Sequence, residues 1–244
     1  MSNSIEVINL SKTYKKKPAV NNINFQVEEG KIIGLLGPNG CGKTTTIAMI
    51  LGLLKPTSGK VLVNGKDIEN HRINLLHKMN FISPYIELPK KLTVKQNLIV
   101  YGKLYNVKNL LERIEYLSTK LRLNKFINSI TGELSSGQKN RVSLAKSLIN
   151  DPTVLLLDEP TASLDPETGD FIRTFLEDYK KEKKISILLA SHNMDEVTRL
   201  CSSIMMMKNG TIIDQGSPVE LINKHGRNNL EEVFLKLARS ENEF

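Results

Sequence analysis

The chain has 244 residues, 40% hydrophobic and 25% charged, which is ordinary for a soluble globular protein with room for a buried core. Lys and Arg outnumber Asp and Glu by 34 to 26, a net charge of +8. No stretch reaches the about 20 apolar residues of a membrane span, and residues 1–14 lack the apolar run of a secretory signal, so at a membrane other chains would supply the span.

The first third reads as strands over Ile5 to Leu10, Ile23 to Val27 and Lys31 to Leu36, with the turn Glu28-Glu29-Gly30 between the last two. A Gly-rich loop follows, then a helix from Lys43 to Leu53. Pro56 and Gly59 close that unit, and a strand at Val61 to Val63 ends at Asn64-Gly65. From His71 to Ile130 the pattern is helical, with Leu110, Ile114 and Leu117 at helix spacing, although Met79 to Ser83 reads as a strand. A helix from Gly137 to Ile149 leads to the apolar strand Val154 to Leu157. A helix from Thr168 to Lys180 leads to the strand Ile185 to Ala190, and Ile204 to Met207 is a further apolar strand. Short apolar strands between helices predict an α/β fold with a mostly parallel core sheet covered on both faces, interrupted by a helical insertion. Leu230, Val233, Phe234 and Leu237 form a stripe on a tail helix, expected to dock on its own domain.

Cys41 and Cys201 are the only cysteines and the four His are scattered, so there is no disulfide framework, no metal-ligand spacing and an expected reducing compartment. Cys41 lies near a helix N-terminus and Lys43, two features that depress a thiol pKa; Cys201 and the following methionines read as core. Basic clusters at Lys15-Lys16-Lys17, Lys90-Lys91, Lys180-Lys181 and Lys183-Lys184 suit solvated loops, or contact with an anionic membrane surface or nucleic acid. With no Trp and no aromatic residues interleaved, nucleic acid is not an expected partner.

Two segments carry chemistry. Gly37-Pro38-Asn39-Gly40-Cys41-Gly42-Lys43-Thr44 fits G-x-x-x-x-G-K-[ST], with a strand before and a helix after. Glycines let backbone N–H groups curl round phosphate, and the helix N-terminus adds positive charge. Lys43 is expected to reach the β- and γ-phosphates of ATP, and Thr44 to bind Mg²⁺, with Thr45 beside it. Val154 to Leu157 is a buried strand ending in Asp158 and Glu159. Asp158 is expected to hold Mg²⁺ and Glu159 to polarise the attacking water. The alternative is that both acids cap a loop before Pro160.

Leu134-Ser135-Ser136-Gly137-Gln138 precedes a helix and resembles the ATP-binding cassette (ABC) signature LSGGQ, with Ser136 in place of the first Gly. The order of phosphate loop, signature, LLLDEP, Ser163-Leu164-Asp165 and His192 is similar to that of ABC transporter ATPases, and the resemblance runs from Ile5 to about residue 238. It implies a single cassette over residues 1–244 with an N-terminal antiparallel β subdomain, a helical subdomain at about 84–148 and a C-terminal helix at about 228–240. It also implies ATP hydrolysis coupled to transport through separate transmembrane permease subunits, at the cytoplasmic face of the membrane. By resemblance Tyr14 stacks on adenine, and Ser135, Ser136, Gly137 and Gln138 face the γ-phosphate bound by a second subunit in a homodimer or heterodimer. Asp165 lies at that interface and His192 contacts the γ-phosphate, so Glu159, His192 and Lys43 form the catalytic set. The ending Leu230-Glu231-Glu232-Val233-Phe234 is similar to exporter-type subunits of the ABC-2 group. A soluble ABC ATPase acting on DNA or ribosomes is the alternative, though coiled-coil insertions, zinc cysteines and a second cassette are lacking.

The sequence departs from the family where a Gln normally follows the strand Met79 to Ser83. That position is Pro84, which has neither a side-chain amide nor an N–H, leaving water or Ser83 for the metal contact. Gln96 is too far along to substitute. Tyr85-Ile86-Glu87-Leu88-Pro89 is a candidate docking loop for the membrane partner.

Overall fold

A computed structural model describes residues 2–84, 86–162 and 164–239. In chain order the elements are β1 (Asn3–Tyr14), β2 (Lys17–Glu28), β3 (Ile32–Leu36), α1 (Lys43–Ile50), β4 (Ser58–Val63), β5 (Lys66–Asp67) and α2 (Ile68–Leu76). There follow β6 (Met79–Ile82), α3 (Val94–Leu104), α4 (Leu110–Lys120), α5 (Ser136–Leu148), β7 (Val154–Asp158) and α6 (Pro166–Lys183). The chain ends with β8 (Ser186–Ser191), α7 (Met194–Leu200), β9 (Ser203–Lys208), β10 (Thr211–Gly216), α8 (Pro218–His225) and α9 (Leu230–Arg239). Two compact units result. One joins the residues up to Leu75 with those from Ser186 onward, and the other spans Leu76–Ile185.

The first unit holds two sets of strands. β1 pairs antiparallel with β2 and with β4, and β4 with β5, giving the antiparallel N-terminal sheet. The β4–β5 reversal falls at Asn64 and Gly65, both in the left-handed region, as Asn-Gly predicts. β3 runs parallel between β8 and β9, and β10 closes on β9 as an antiparallel hairpin. Every residue of β3 and β8 is buried, as expected of strands covered on both faces. Burying a side chain such as Leu35 or Leu189 contributes roughly 1.5–3 kcal/mol. The methionines of β9 and Cys201 are core residues, as expected. The tail stripe also buries, with Leu230 and Val233 inside and α9 packed on α7 and α8.

The second unit pairs β6 and β7 in parallel, with α5 packed on β6 and with α3 and α4 packed on α5 and on each other. The helical pattern expected from His71 to Ile130, with its strand at Met79 to Ser83, is found in part. α2, the expected strand as β6, α3 and α4 are present, but residues 83–84 and 86–93 form no helix before α3. Pro84 and Pro89 explain the gap, since proline removes helical N–H donors and pushes the preceding residue out of the α region. Thr93 then starts α3 with a capping box, accepting from Gln96 N while Gln96 Oε1 accepts from Thr93 N at 2.8 Å. The Gln96 amide is thus engaged in its own helix cap. Among the described residues no helix is long and apolar enough to cross a membrane.

Candidate functional site

In the first unit the phosphate loop leaves β3 at Leu36 and enters α1 at Lys43. Gly42 has φ 114°, and a Cβ there would sit 2.5 Å from the Ala19 carbonyl oxygen, so only glycine fits this turn. The loop leans on the β9–β10 turn through a 2.9 Å bond from Gly210 N to Cys41 O. Pro38, Asn39 and Gly40 are exposed, whereas Gly37, Cys41, Gly42 and Lys43 are buried. Lys43 Nζ donates to the carbonyls of Gly37 at 2.6 Å and Pro38 at 3.2 Å, which pins the ammonium inside the curl of the loop. Thr44 is exposed on the first turn of α1 with Thr45 half-buried behind it. Tyr14, at the end of β1, is half-exposed with Lys12 Nζ 5.4 Å from its ring centre.

Cys41 corrects an expectation. Its side chain is only 3% exposed, and burial pushes the thiol up although Lys43 pulls the other way. The helix terminus and the lysine were visible in sequence; the burial that outweighs them was not.

β8 runs beside β3 with Ser191 in register with Leu36. His192 therefore emerges, exposed, one residue past a strand end that neighbours the start of the phosphate loop. Its loop is fixed from beneath. Ser191 Oγ, fully buried, donates to Glu196 Oε2 at 2.7 Å and accepts from Asn193 N, while Asn193 caps α7 through Glu196 N. Sequence reading missed this support, for which Asn193 followed three residues later by Glu196 was the available signal.

The second unit carries the signature and the acidic strand. Ser135 caps α5, accepting from Gln138 N at 3.3 Å while Gln138 Oε1 accepts from Ser135 N at 2.9 Å. Ser135 and Ser136 are exposed at the helix start. Gly137 is buried where a Cβ would come within 3.1 Å of the Thr168 side chain, so a larger residue here would press on the start of α6. Asp165 caps α6, its Oδ1 accepting from Thr168 N at 2.9 Å, and that bond holds its carboxyl below the usual range. Ser163 and Tyr85 lie outside the described residues.

Asp158 ends β7 with 2% exposure. Glu159 follows with φ 52°, in the left-handed region that residues other than glycine enter uncommonly. This turn ends the strand's alternation at Glu159. Asn140 of α5 donates to Pro160 O at 2.6 Å and ties the turn to the signature helix, a contact with no local signal in the sequence. Pro84, Ser136 and Glu159 together line one cavity of about 240 Å³ with Ile82, Lys139 and Asn140.

A glycine loop with its lysine opening a helix, and an acidic pair ending a buried strand, define the class: a P-loop ATPase cassette. Residues 20–162 match the family described as ABC transporter. The chain is 35% identical over 231 residues to the ABC transporter ATP-binding protein NatA of Bacillus subtilis (strain 168), covering 92% of this chain and 94% of that protein. It is 36% identical over 234 residues to Nod factor export ATP-binding protein I of Rhizobium sp. (strain N33), covering 95% of this chain and 76% of that one. Its structure is similar to that of an ATP-binding subunit of an ABC transporter, with TM-score 0.88, 26% identity, and 96% and 99% of the two chains covered. It also resembles the dimeric post-hydrolysis cassette MJ0796 bound to ADP and Pi, with TM-score 0.80, 25% identity, and 87% and 98% covered. The chain belongs to the ABC transporter family and is an ATP-binding, ATP-hydrolysing subunit of it.

Proposed function

We propose that this subunit drives export through separate transmembrane subunits, closing as a homodimer or heterodimer over ATP at the cytoplasmic face of the membrane. The observation that carries the reading is the phosphate loop, with Gly42 in its glycine-only turn and Lys43 held inside the curl. Lys43 would exchange its loop carbonyls for the β- and γ-phosphate oxygens, and Tyr14, exposed on the same unit, would stack on adenine. The names of its relatives support export, since one is a Nod factor export ATP-binding protein. The dimeric state of MJ0796 supports closure over nucleotide.

Mg²⁺ fits the donor set. The Thr44 hydroxyl and the Asp158 carboxylate are hard oxygen donors, and no cluster of three or more His, Cys, Asp or Glu that could cage a metal occurs among the described residues. Thr44 and Asp158 would hold the ion, which neutralises phosphate charge when bound. Glu159 would then accept a proton from the attacking water, and His192 would contact the γ-phosphate from the neighbouring strand end. Ser135, Ser136 and the N-terminal amides of α5 would meet the γ-phosphate held by the partner subunit, with Asp165 at the same face. Pro84 supplies no amide, so the metal contact made by Gln elsewhere falls to Ser83 or water.

Lys43→Ala tests the reading. Fluorescent-ATP binding should weaken on the order of 10-fold or more, as a charge-assisted phosphate contact is lost. Unchanged affinity would remove the loop from the site.

A further inference from the structure

Asn97, on the first turn of α3, is fully buried and gathers four oxygen atoms around one amide nitrogen. Its Nδ2 lies 2.8 Å from Thr131 Oγ1, 3.1 Å from Pro89 O, 3.2 Å from Thr93 O and 3.5 Å from Leu92 O. Its Oδ1 is buried with no hydrogen-bond partner. Turning the amide over would aim that oxygen at three carbonyls, so the surroundings fix its orientation. A buried carbonyl left unpaired costs about 1–3 kcal/mol, which an apolar residue at this position would not incur.

The amide joins two segments distant in sequence. One is Pro89 to Thr93, downstream of Pro84. The other is the single helical turn Thr131–Glu133, from which the chain passes through Leu134 to the Ser135 cap of the signature helix. These segments run antiparallel, with Thr131 N bonded to Leu92 O at 2.9 Å, Gly132 N to Lys90 O at 2.9 Å and Val94 N to Ser129 O at 3.1 Å. Thr131 is also buried, so its hydroxyl turns inward to Asn97 and not to solvent. Backbone bonds alone allow such a short ladder to slip or fray, and Asn97 ties its two segments together through Pro89 O and Thr131 Oγ1.

We propose that Asn97 is a positioning residue for ATP-driven closure. It locks the segment after Pro84 to the turn that presents Ser135 and Ser136, so that the two move as one body. This deepens the function proposed above and rests on its reading that those serines close on the nucleotide of a second subunit. Loosening the lock leaves nucleotide binding by the phosphate loop intact but blurs the placement of the serines, so dimer closure and turnover suffer while ATP affinity does not. An amide that only filled the core would lower stability without separating these readouts.

The test uses Asn97→Leu, Thr131→Val and the double variant, each in the otherwise native chain and in the Glu159→Gln background. Thr131→Val keeps the side-chain shape and stays informative should Asn97→Leu fold poorly. Fluorescent-ATP affinity, ATP-dependent dimerisation by light scattering, and kcat against KM are measured below each variant's unfolding temperature. The expected result is unchanged ATP affinity, dimerisation weakened on the order of 10-fold, kcat lowered with KM held, and a double variant no worse than the poorer single one. Folded variants that dimerise and turn over like their parents overturn the lock alone. A Glu159→Gln parent that binds ATP and stays monomeric overturns the closure reading, and the lock with it.

Discussion

Leu36 and Ser191 are register partners on the parallel strands β3 and β8, so the phosphate loop and His192 leave the sheet from adjacent positions. The pairing makes a glycine turn and a histidine far apart in sequence into parts of one surface. Ser191 is the anchor of this arrangement, because its buried hydroxyl holds both Glu196 and the backbone that carries His192.

His192→Ala should lower kcat about 10²-fold, the scale of losing one donor aimed at developing charge, with little effect on ATP affinity. Ser191→Ala should also slow turnover, and in addition lose about 1–3 kcal/mol of stability through the disturbed buried carboxylate of Glu196. Phosphate release and urea denaturation check the pair. Equal stability of wild type and Ser191→Ala would show that the serine does not anchor the loop.

Cys41 should resist maleimide in the native protein, with or without MgATP, because its thiol is buried and its pKa is raised. It should label promptly in denaturant. Peptide mapping after a timed pulse measures this, and rapid native labelling would contradict the burial.

Ser135 serves α5 as well as the proposed phosphate site, and its partner separates the two roles. Gln138→Ala removes half of the reciprocal cap and should cost about 1 kcal/mol while leaving the serine hydroxyl in place. Ser135→Ala should cost a similar amount and also weaken ATP-dependent dimerisation. Denaturant titration and light scattering, run on both variants, check the split.

Tyr179 predicts a pH effect within the second unit. Burial pushes its hydroxyl up to about 12, with Arg113 opposing, and the hydroxyl bonds to Asp151 at 3.1 Å. The folded state holds this proton more tightly than the unfolded state, whose value is 10.0. Its contribution is therefore complete below about pH 10 and is lost as pH rises towards about 12. Urea midpoints should fall more steeply over that window for wild type than for Tyr179→Phe. Parallel slopes would contradict the shift.

What was legible in the sequence was local. The phosphate loop, the strand ending in Asp158 and Glu159, and the Ser135 cap each lie within a few consecutive residues, and their backbone chemistry follows from residue type. The stripe on α9 was legible because burial there follows helix period. Part of the stretch between β6 and α3 falls inside the region that reads as helical, while Pro84, Pro89 and an antiparallel ladder to residues 129–132 override a helix there. Hydrogen bonds from Asn140 to Pro160 and from Asn97 to Thr131 join residues remote in sequence, and neither has a local pattern to announce it. β10 and α8 were missed for a different reason. Thr211 to Gly216 is only partly buried, so its apolar alternation is weak.

Glu159 bears the central claim of the proposed function, that this residue activates the water that attacks ATP. The most direct measurement is phosphate release by Glu159→Gln together with its mass in solution under ATP. The account predicts a loss of hydrolysis on the order of 10²-fold or more, with ATP still bound and a stable dimer formed. A variant that releases phosphate at near the wild-type rate, or binds ATP and remains a monomer, would contradict it.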